Sequence, residues 1–158
     1  GNDTYQYYET VSGGSGAGTL GVGDDGVERG FDGTDVVQTH MTNSRLTDPE
    51  VLEWRFPVRL ESFEIRQGSG GRGRWHGGNG STRKVRFLEP MTAAILSGHR
   101  RVPPYGMAGG QPGQVGRNYV VRNDGRIEPL EGCDSTRMHA GDVFVIESPG
   151  GGGFGSPR

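Results

Sequence analysis

Residues 58–66, VRLESFEIR, decide the fold class. Apolar side chains fall at Val58 and Leu60 and then at Phe63 and Ile65, so a two-residue alternation runs, slips by one position and resumes. A strand that keeps one apolar face through such a slip needs an extra residue, and the pattern predicts a β-bulge near Glu61 and Ser62 with all four apolar side chains on one face. Further strands are expected at 82–88, 92–98, 118–122, 127–130 and 142–148, divided by turn residues. Asn123-Asp124-Gly125 supplies the positive φ of a tight hairpin, and the Gly- and Pro-punctuated runs 102–106 and 109–113 are rigid loops. Many short strands with frequent turns predict a mainly β fold: an antiparallel sandwich or open barrel with long Gly-rich loops and one short helix near 48–55. The expected core is Val58, Leu60, Phe63, Ile65, Trp75, Val85, Phe87, Val143 and Val145.

Immediately upstream, residues 36–58 read VVQTHMTNSRLTDPEVLEWRFPV. Thr39, His40, Thr42, Asn43 and Arg45 crowd donors and acceptors between two apolar runs, a composition that suits a site better than a core. Thr47-Asp48-Pro49-Glu50 is a helix start: Thr47 or Asp48 caps, Pro49 loses no hydrogen bond in the first turn, and Glu50 complements the positive helix end. Pro57 stops the helix near Arg55, because the residue before a proline is driven out of the α region. Free amides at the start of this helix are a candidate seat for a carboxylate or phosphate. His40 is the candidate acid/base residue, since hydroxyls and an amide surround it.

With 158 residues the chain is expected to form one domain. Inside it a Gly-rich arm (1–35) leads into the loop and short helix (36–57) and then the β domain (58–158). The arm holds an expected strand at 4–11 (TYQYYETV) and a loop over 13–33. The 31 glycines and nine prolines approach a low-complexity composition, but a net charge of -2 and the aromatic residues argue for a folded chain. Among 17 basic residues Lys84 is the single lysine, so a Walker A motif is excluded. Near-zero net charge removes the footprint of a nucleic-acid binder. The lone Cys133, set in an expected turn, excludes an intrachain disulfide and a multi-cysteine zinc site and suits the cytoplasm. No apolar run reaches membrane-spanning length. The chain starts in mid-pattern at Gly1, as an excised piece of a longer protein does.

The four histidines, at 40, 76, 99 and 139, give no helical metal pair, and no metal site is expected within the chain. Residues 68–80, GSGGRGRWHGGNG, read as a hairpin connection with Trp75 folded back on the core. Arg100 and Arg101, ahead of Pro103-Pro104, offer an anion clamp. The run Gly150 to Gly153 brings bare backbone close to whatever it meets, a ligand or the rest of a parent protein.

Five blocks in collinear order span essentially the whole chain. They are Tyr7-Tyr8-Glu9-Thr10 with Gly13-Gly14 and Gly16-Ala17-Gly18; THMTNSRLTDPEVLEWRFPV at 39–58; GSGGRGRWHGGNG at 68–80; Pro104-Tyr105-Gly106 with Gly109-Gly110; and PGGGGFG at 149–155. Together they resemble the C-terminal region of the hydantoinase B/5-oxoprolinase family, N-methylhydantoinase B-like. The resemblance implies a C-terminal fragment of an ATP-dependent hydrolase that opens a cyclic amide, 5-oxoproline to glutamate or a hydantoin to its carbamoyl amino acid. It implies a separate hydantoinase A-type region or subunit that binds ATP with a divalent metal and phosphorylates the substrate; with no phosphate fingerprint beyond bare glycines, no ligand set for Mg²⁺ and a single lysine, this fragment is expected to hold no cofactor and to be inactive alone. Relatives with the same region include acetone and acetophenone carboxylases, so a carboxylase subunit is the alternative, and a structural or interaction module supporting catalysis elsewhere is a third. On this reading His40 and Asn43 are the candidate catalytic residues, and Thr39, Thr42, Arg45 and Asp48 the candidate substrate-binding ones. The expected partners are the rest of the parent chain or that ATP-binding subunit and a small cyclic amide, with no nucleic acid and no membrane.

Overall fold

A computed structural model describes residues 1–39 and 43–157. The elements in chain order are β1 (Gly18–Val22), β2 (Glu28–Phe31), α1 (Pro49–Arg55), β3 (Val58–Arg66), β4 (Gly80–Phe87), β5 (Met91–Leu96), β6 (Arg117–Val121), β7 (Ile127–Leu130), β8 (Cys133–Met138) and β9 (Val143–Glu147). A five-stranded sheet runs β3-β4-β9-β6-β7, every neighbour antiparallel, and β5-β8 forms a second, two-stranded layer. The result is an open sandwich, as the strand pattern predicts. Val120, Met138 and Phe144 are its buried centre, with Ala93, Ile95, Leu130 and Ile146 packed around them. A second cluster, Leu52, Val58 and Met91, seats α1 against the sheet.

The bulge in β3 lies where the alternation slips: Leu60 pairs with Val85 and Ser62 with Lys84, leaving Glu61 as the extra residue. Val58, Leu60, Phe63 and Ile65 then stand opposite Phe87, Val85, Arg83 and Ser81, alternate residues of β4, so all four share one face. Their burial differs from the expectation. Val58 is buried under α1, whereas Phe63 and Ile65 are 41% and 46% exposed, because α1 covers only the first end of that face. Phe63 instead lies over the Arg83 guanidinium, 5.5 Å from ring centre to Cζ. Helix α1 starts as read: Asp48 Oδ1 accepts from the Glu50 amide at 2.9 Å, Pro49 opens the first turn, and Phe56 caps the end in extended conformation ahead of Pro57.

Three local expectations change. Residues 4–11 join no strand; the segment is tied to β4 through the pairing of Glu9 with Arg83. The glycine stretch 13–33 contains the β1–β2 hairpin, turned at Gly26 (φ 72°) and bulged at Gly21 (φ 91°). Cys133, expected in a turn, starts β8, a strand that the sequence pattern does not predict.

Glycine organises the other half of the molecule. Segments 13–17, 33–37, 69–79, 104–114 and 149–155 carry little strand or helix, yet they hydrogen-bond to one another through their backbones. Around 149–155 the directions repeat every third residue. The amides of Gly150 and Gly153 donate to Gln114 and Gln111 (3.2 and 2.9 Å), those of Gly151 and Phe154 donate to Gly78 and Trp75 (2.8 and 2.9 Å), and the carbonyls of Pro149 and Gly152 accept from Gly14 and Ala17 (3.0 and 2.9 Å). A three-residue repeat with all bonds made to neighbouring chains is the periodicity of polyproline-II-like helices packed side by side. The packing needs glycine because the backbones touch. A Cβ on Gly151 would stand 1.9 Å from the Ser15 carbonyl oxygen, and one on Gly152 would stand 1.8 Å from that of Tyr105. The bare backbone at 150–153 therefore meets this chain's own segments, and 68–80 is the β3–β4 connection drawn into the bundle, with Trp75 half-buried against Phe154 (5.9 Å).

Arg122 ties the far end of the sandwich. It donates to Asp142 (2.7 Å), to Glu128, to the Thr136 hydroxyl (3.1 Å) and to the Arg137 carbonyl (2.8 Å). Burial pushes the Asp142 carboxyl up, but the His139 amide, the Arg122 guanidinium and the Asn123 amide together pull it down further, and the net position is below the ordinary value. A lowered carboxylate pKa stabilises the fold above the unfolded-state pKa and loses that contribution as pH falls through the folded one.

Two outcomes follow from the packing and the charge. Gly151→Ala is expected to cost about 3 kcal/mol or more through forced backbone separation, whereas Gly16→Ala, whose Cβ would meet nothing closer than 3.8 Å, is expected to cost under about 1 kcal/mol; chemical denaturation reads both. Asp142→Asn is expected to flatten the acid limb of the stability-against-pH curve below about pH 4, read from thermal melts across that range.

Candidate functional site

Two cavities flank the junction of sheet and bundle. The smaller, about 430 Å³, is a glycine-lined cleft between segments 13–17 and 151–153, with Pro104, Tyr105 and Met107 on the opposite wall and Thr39 at its edge. The larger, about 500 Å³, runs along β5 between Tyr5, Tyr7, Leu52 and Phe56 on one side and Phe144 and Ile146 below. Gly13, His99 and Pro149 line both.

Val37 and Thr39 reach the cleft because residues 36–38 are pinned to the bundle. The Val36 amide donates to the Asn79 carbonyl (2.9 Å), Val37 donates to Gly13 (3.0 Å), and the Gln38 side-chain amide donates to the Thr10 carbonyl. Val36 adopts φ 45°, a conformation a β-branched residue takes only under such constraint. Thr39 thus lines the cleft. His40 and Thr42 lie outside the described residues. Asn43 and Arg45 are exposed, and Asp48 is occupied as the cap of α1, which borders the larger cavity. The seven-residue helix carries Asp48 and Glu50 at its start, acidic groups that repel the anion considered for that end.

The wall of the larger cavity is held by charge. Glu9 accepts from Arg83 Nε and Nη2 at 2.7 and 2.9 Å, and Arg83 is 1% exposed. The Tyr7 hydroxyl donates to Glu9 (2.8 Å) and lies 3.0 Å from Thr47 Oγ1. Burial pushes the Tyr7 phenol above its ordinary value, the Thr47 contact opposes that, and the Glu9 carboxylate adds to it.

His99 is the residue that sequence reasoning missed. It follows β5, takes φ 53° and places Nδ1 3.0 Å from the Val102 carbonyl. A carbonyl only accepts, so Nδ1 carries the proton of that contact and leaves Nε2 as the ring nitrogen not engaged by it. Its local sequence, Gly98-His99-Arg100, offers no signal; only the meeting of both cavities at one turn marks it. The neighbouring arginines separate: Arg101 is exposed and pairs with Glu131 (3.1 Å), while Arg100 turns inward, so the two do not form one clamp.

Five amides of the cleft are not free for a phosphate. The amides of Gly14, Ser15, Ala17, Gly151 and Gly153 are spent on carbonyls of neighbouring segments, so the cleft offers no phosphate nest from them, and Lys84 is exposed on β4. Among the described residues no three His, Cys, Asp or Glu side chains converge as metal ligands, and no helix is long and apolar enough to cross a membrane.

The open sandwich, the glycine bundle and the cleft between them span nearly the whole sequence, and so does one family profile. Hydantoinase B/oxoprolinase matches residues 1–157, and the chain belongs to that family. It is 45% identical to 5-oxoprolinase 1 of Arabidopsis thaliana over 99% of its own length and 12% of that protein's, so it spans about an eighth of that relative. Among solved structures it shares its fold with an ATP-dependent caprolactamase from Pseudomonas jessenii (TM-score 0.71, 20% identity, 92% of this chain and 28% of that one). A nucleotide-free acetone carboxylase gives TM-score 0.62 at 16% identity, covering 92% and 25%.

Removing the carboxylate opposite Arg83 leaves a buried charge alone. Glu9→Gln is expected to destabilise by about 3 kcal/mol and to release residues 5–11 from the cavity wall, seen as faster amide exchange there than in the sheet.

Proposed function

We propose that this chain is the C-terminal part of an ATP-dependent hydrolase that opens a cyclic amide, 5-oxoproline to glutamate or a hydantoin to its carbamoyl amino acid. The observation that carries the reading is the 45% identity to a 5-oxoprolinase across 99% of the chain. A lactam carbonyl resists water because nitrogen donates into it. Phosphorylation of its oxygen, the chemistry ATP supplies, turns that amide into an activated electrophile with a good leaving group. That step belongs to the ATP- and metal-binding part of the parent or to a hydantoinase A-type subunit, since the amides and lysine of this chain do not suit it.

What this chain contributes is the glycine-lined cleft and the loop at its edge. His40 is the general base for the attacking water and Asn43 its orienting amide, while Thr39, Thr42 and Arg45 hold the substrate's polar edge. Asp48, the remaining substrate-side candidate, fixes the end of that loop by capping α1. The protein works in the cytoplasm. A carboxylase subunit is the second reading; its support is one solved likeness at 16% identity, which speaks to fold alone.

A hybrid tests the proposal: residues 1–157 replace the matching stretch of the Arabidopsis protein, and glutamate formation from 5-oxoproline is followed with ATP consumption. Coupled ring opening is expected, falling at least about 100-fold in His40→Ala, within the range a general base supplies. A folded hybrid that consumes ATP and forms no glutamate sinks the reading.

A further inference from the structure

Six arginines among the described residues are buried or half-buried, and five of them face a carboxylate: Arg66 has Glu147, Arg74 has Glu28, Arg83 has Glu9, Arg86 has Glu61, and Arg122 has Asp142 and Glu128. Arg100 is the sixth. It donates from Nε and Nη2 to Asn118 Oδ1 (3.1 and 2.9 Å) and from Nη1 to the Gly98 carbonyl (2.7 Å), and both partners are neutral. The arrangement is built. Asn118 is 4% exposed, and its Nδ2 donates to Ser97 Oγ (2.9 Å) and to the Glu131 carbonyl (3.2 Å), which forces Oδ1 toward the guanidinium. Gly116 leaves room for it, since a Cβ there would stand 2.6 Å from Arg100 Nη1.

An aspartate at 118 would have nearly the same shape and would neutralise the cation. The sequence places an amide there instead, so the guanidinium is positioned while its charge remains uncompensated. Desolvating a cation without a counter-ion is costly, and here burial and the repulsion of Arg66 both act against it. Two of its five N–H donors remain after the three bonds named. Arg100 is among the residues lining the large cavity, next to His99.

We propose that Arg100 binds the carboxylate of a small, uncharged-ring ligand at the end of the β5 cavity that meets the glycine cleft at His99, with the ring directed toward that cleft. Which ligand follows from the proposed reaction: 5-oxoproline carries a carboxylate beside its lactam, and guanidinium–carboxylate pairing would fix the ring for attack and separate it from lactams that lack the acid. The anion site itself rests on the geometry of Arg100, Asn118 and Gly116.

The test titrates the protein with 5-oxoproline, glutamate and 2-pyrrolidinone, which is the same lactam without its carboxylate, while NMR follows the Arg100 Nε–Hε signal. Saturable shifts with both carboxylates and none with 2-pyrrolidinone are expected. Arg100→Gln and Asn118→Asp should each weaken carboxylate binding about tenfold or more, the second by supplying an internal counter-ion in a fold that keeps the arginine. Equal binding of 2-pyrrolidinone, or carboxylate binding untouched in both variants, overturns the proposal. So does an Arg100 signal blind to every ligand but shifted when the chain is joined to a longer protein, since the missing carboxylate is then a protein side chain. Carboxylate binding that persists where the hybrid makes no glutamate overturns the proposed reaction and leaves this site standing.

Discussion

Backbone touching backbone is the constraint on which the rest of the molecule depends. In the segments around 149–155 peptide planes approach so closely that a single methyl carbon at Gly151 or Gly152 would overlap a carbonyl oxygen of the adjacent segment. That contact brings residues from both ends of the sequence and from two interior loops together without helix and with few strands. It also sets the position of the sheet, since β9 runs directly into the bundle and Ser148, with Ser81 and the Ser12 carbonyl, ties the two halves through a buried hydroxyl cluster. The cleft beside Thr39 is the gap between two such backbone segments.

Around this frame the chain distributes charge with economy. Most enclosed arginines hold an acid from a distant part of the sequence: Arg83 fixes the N-terminal segment over the sheet, and Arg122 locks β6 to the turn before β9. With a single lysine in the chain, planar guanidinium forks do nearly all of this work, and their geometry suits bidentate pairing across segments better than an ammonium does. The two cavities share Gly13, His99 and Pro149 as lining residues.

How much of this was legible in the sequence depends on whether the signal was local. The β3 bulge was, because a slip in alternation has one physical remedy, and so was α1, because Asp48, Pro49 and Pro57 act within a turn of where they stand. The exposure of Phe63 and Ile65 was not: alternation tells which face a residue is on, not how far α1 extends over it. Residues 4–11 have strand-forming side chains but meet no free strand edge, since β-propensity measures fit to a pleated surface and not the existence of a partner. Glycine-rich sequence reads as loop because a bundle of this kind has no hydrophobic period. At the site, Thr39 was legible as part of a polar cluster, whereas His99 acquires meaning only from the two walls that converge on it.

The glycine bundle has a thermodynamic consequence. Folding here withdraws a large share of peptide groups from water and a modest share of hydrocarbon. Apolar and polar surface contribute to the heat capacity of unfolding with opposite signs, about +0.45 and −0.26 cal/K/mol per Å². A domain held by peptide–peptide contact therefore unfolds with a heat-capacity increment below that of an oil-cored domain of the same length. Its stability curve is correspondingly shallow, changing little between cold and warm, and the cold-induced loss of stability that a hydrophobic core suffers is muted in this one.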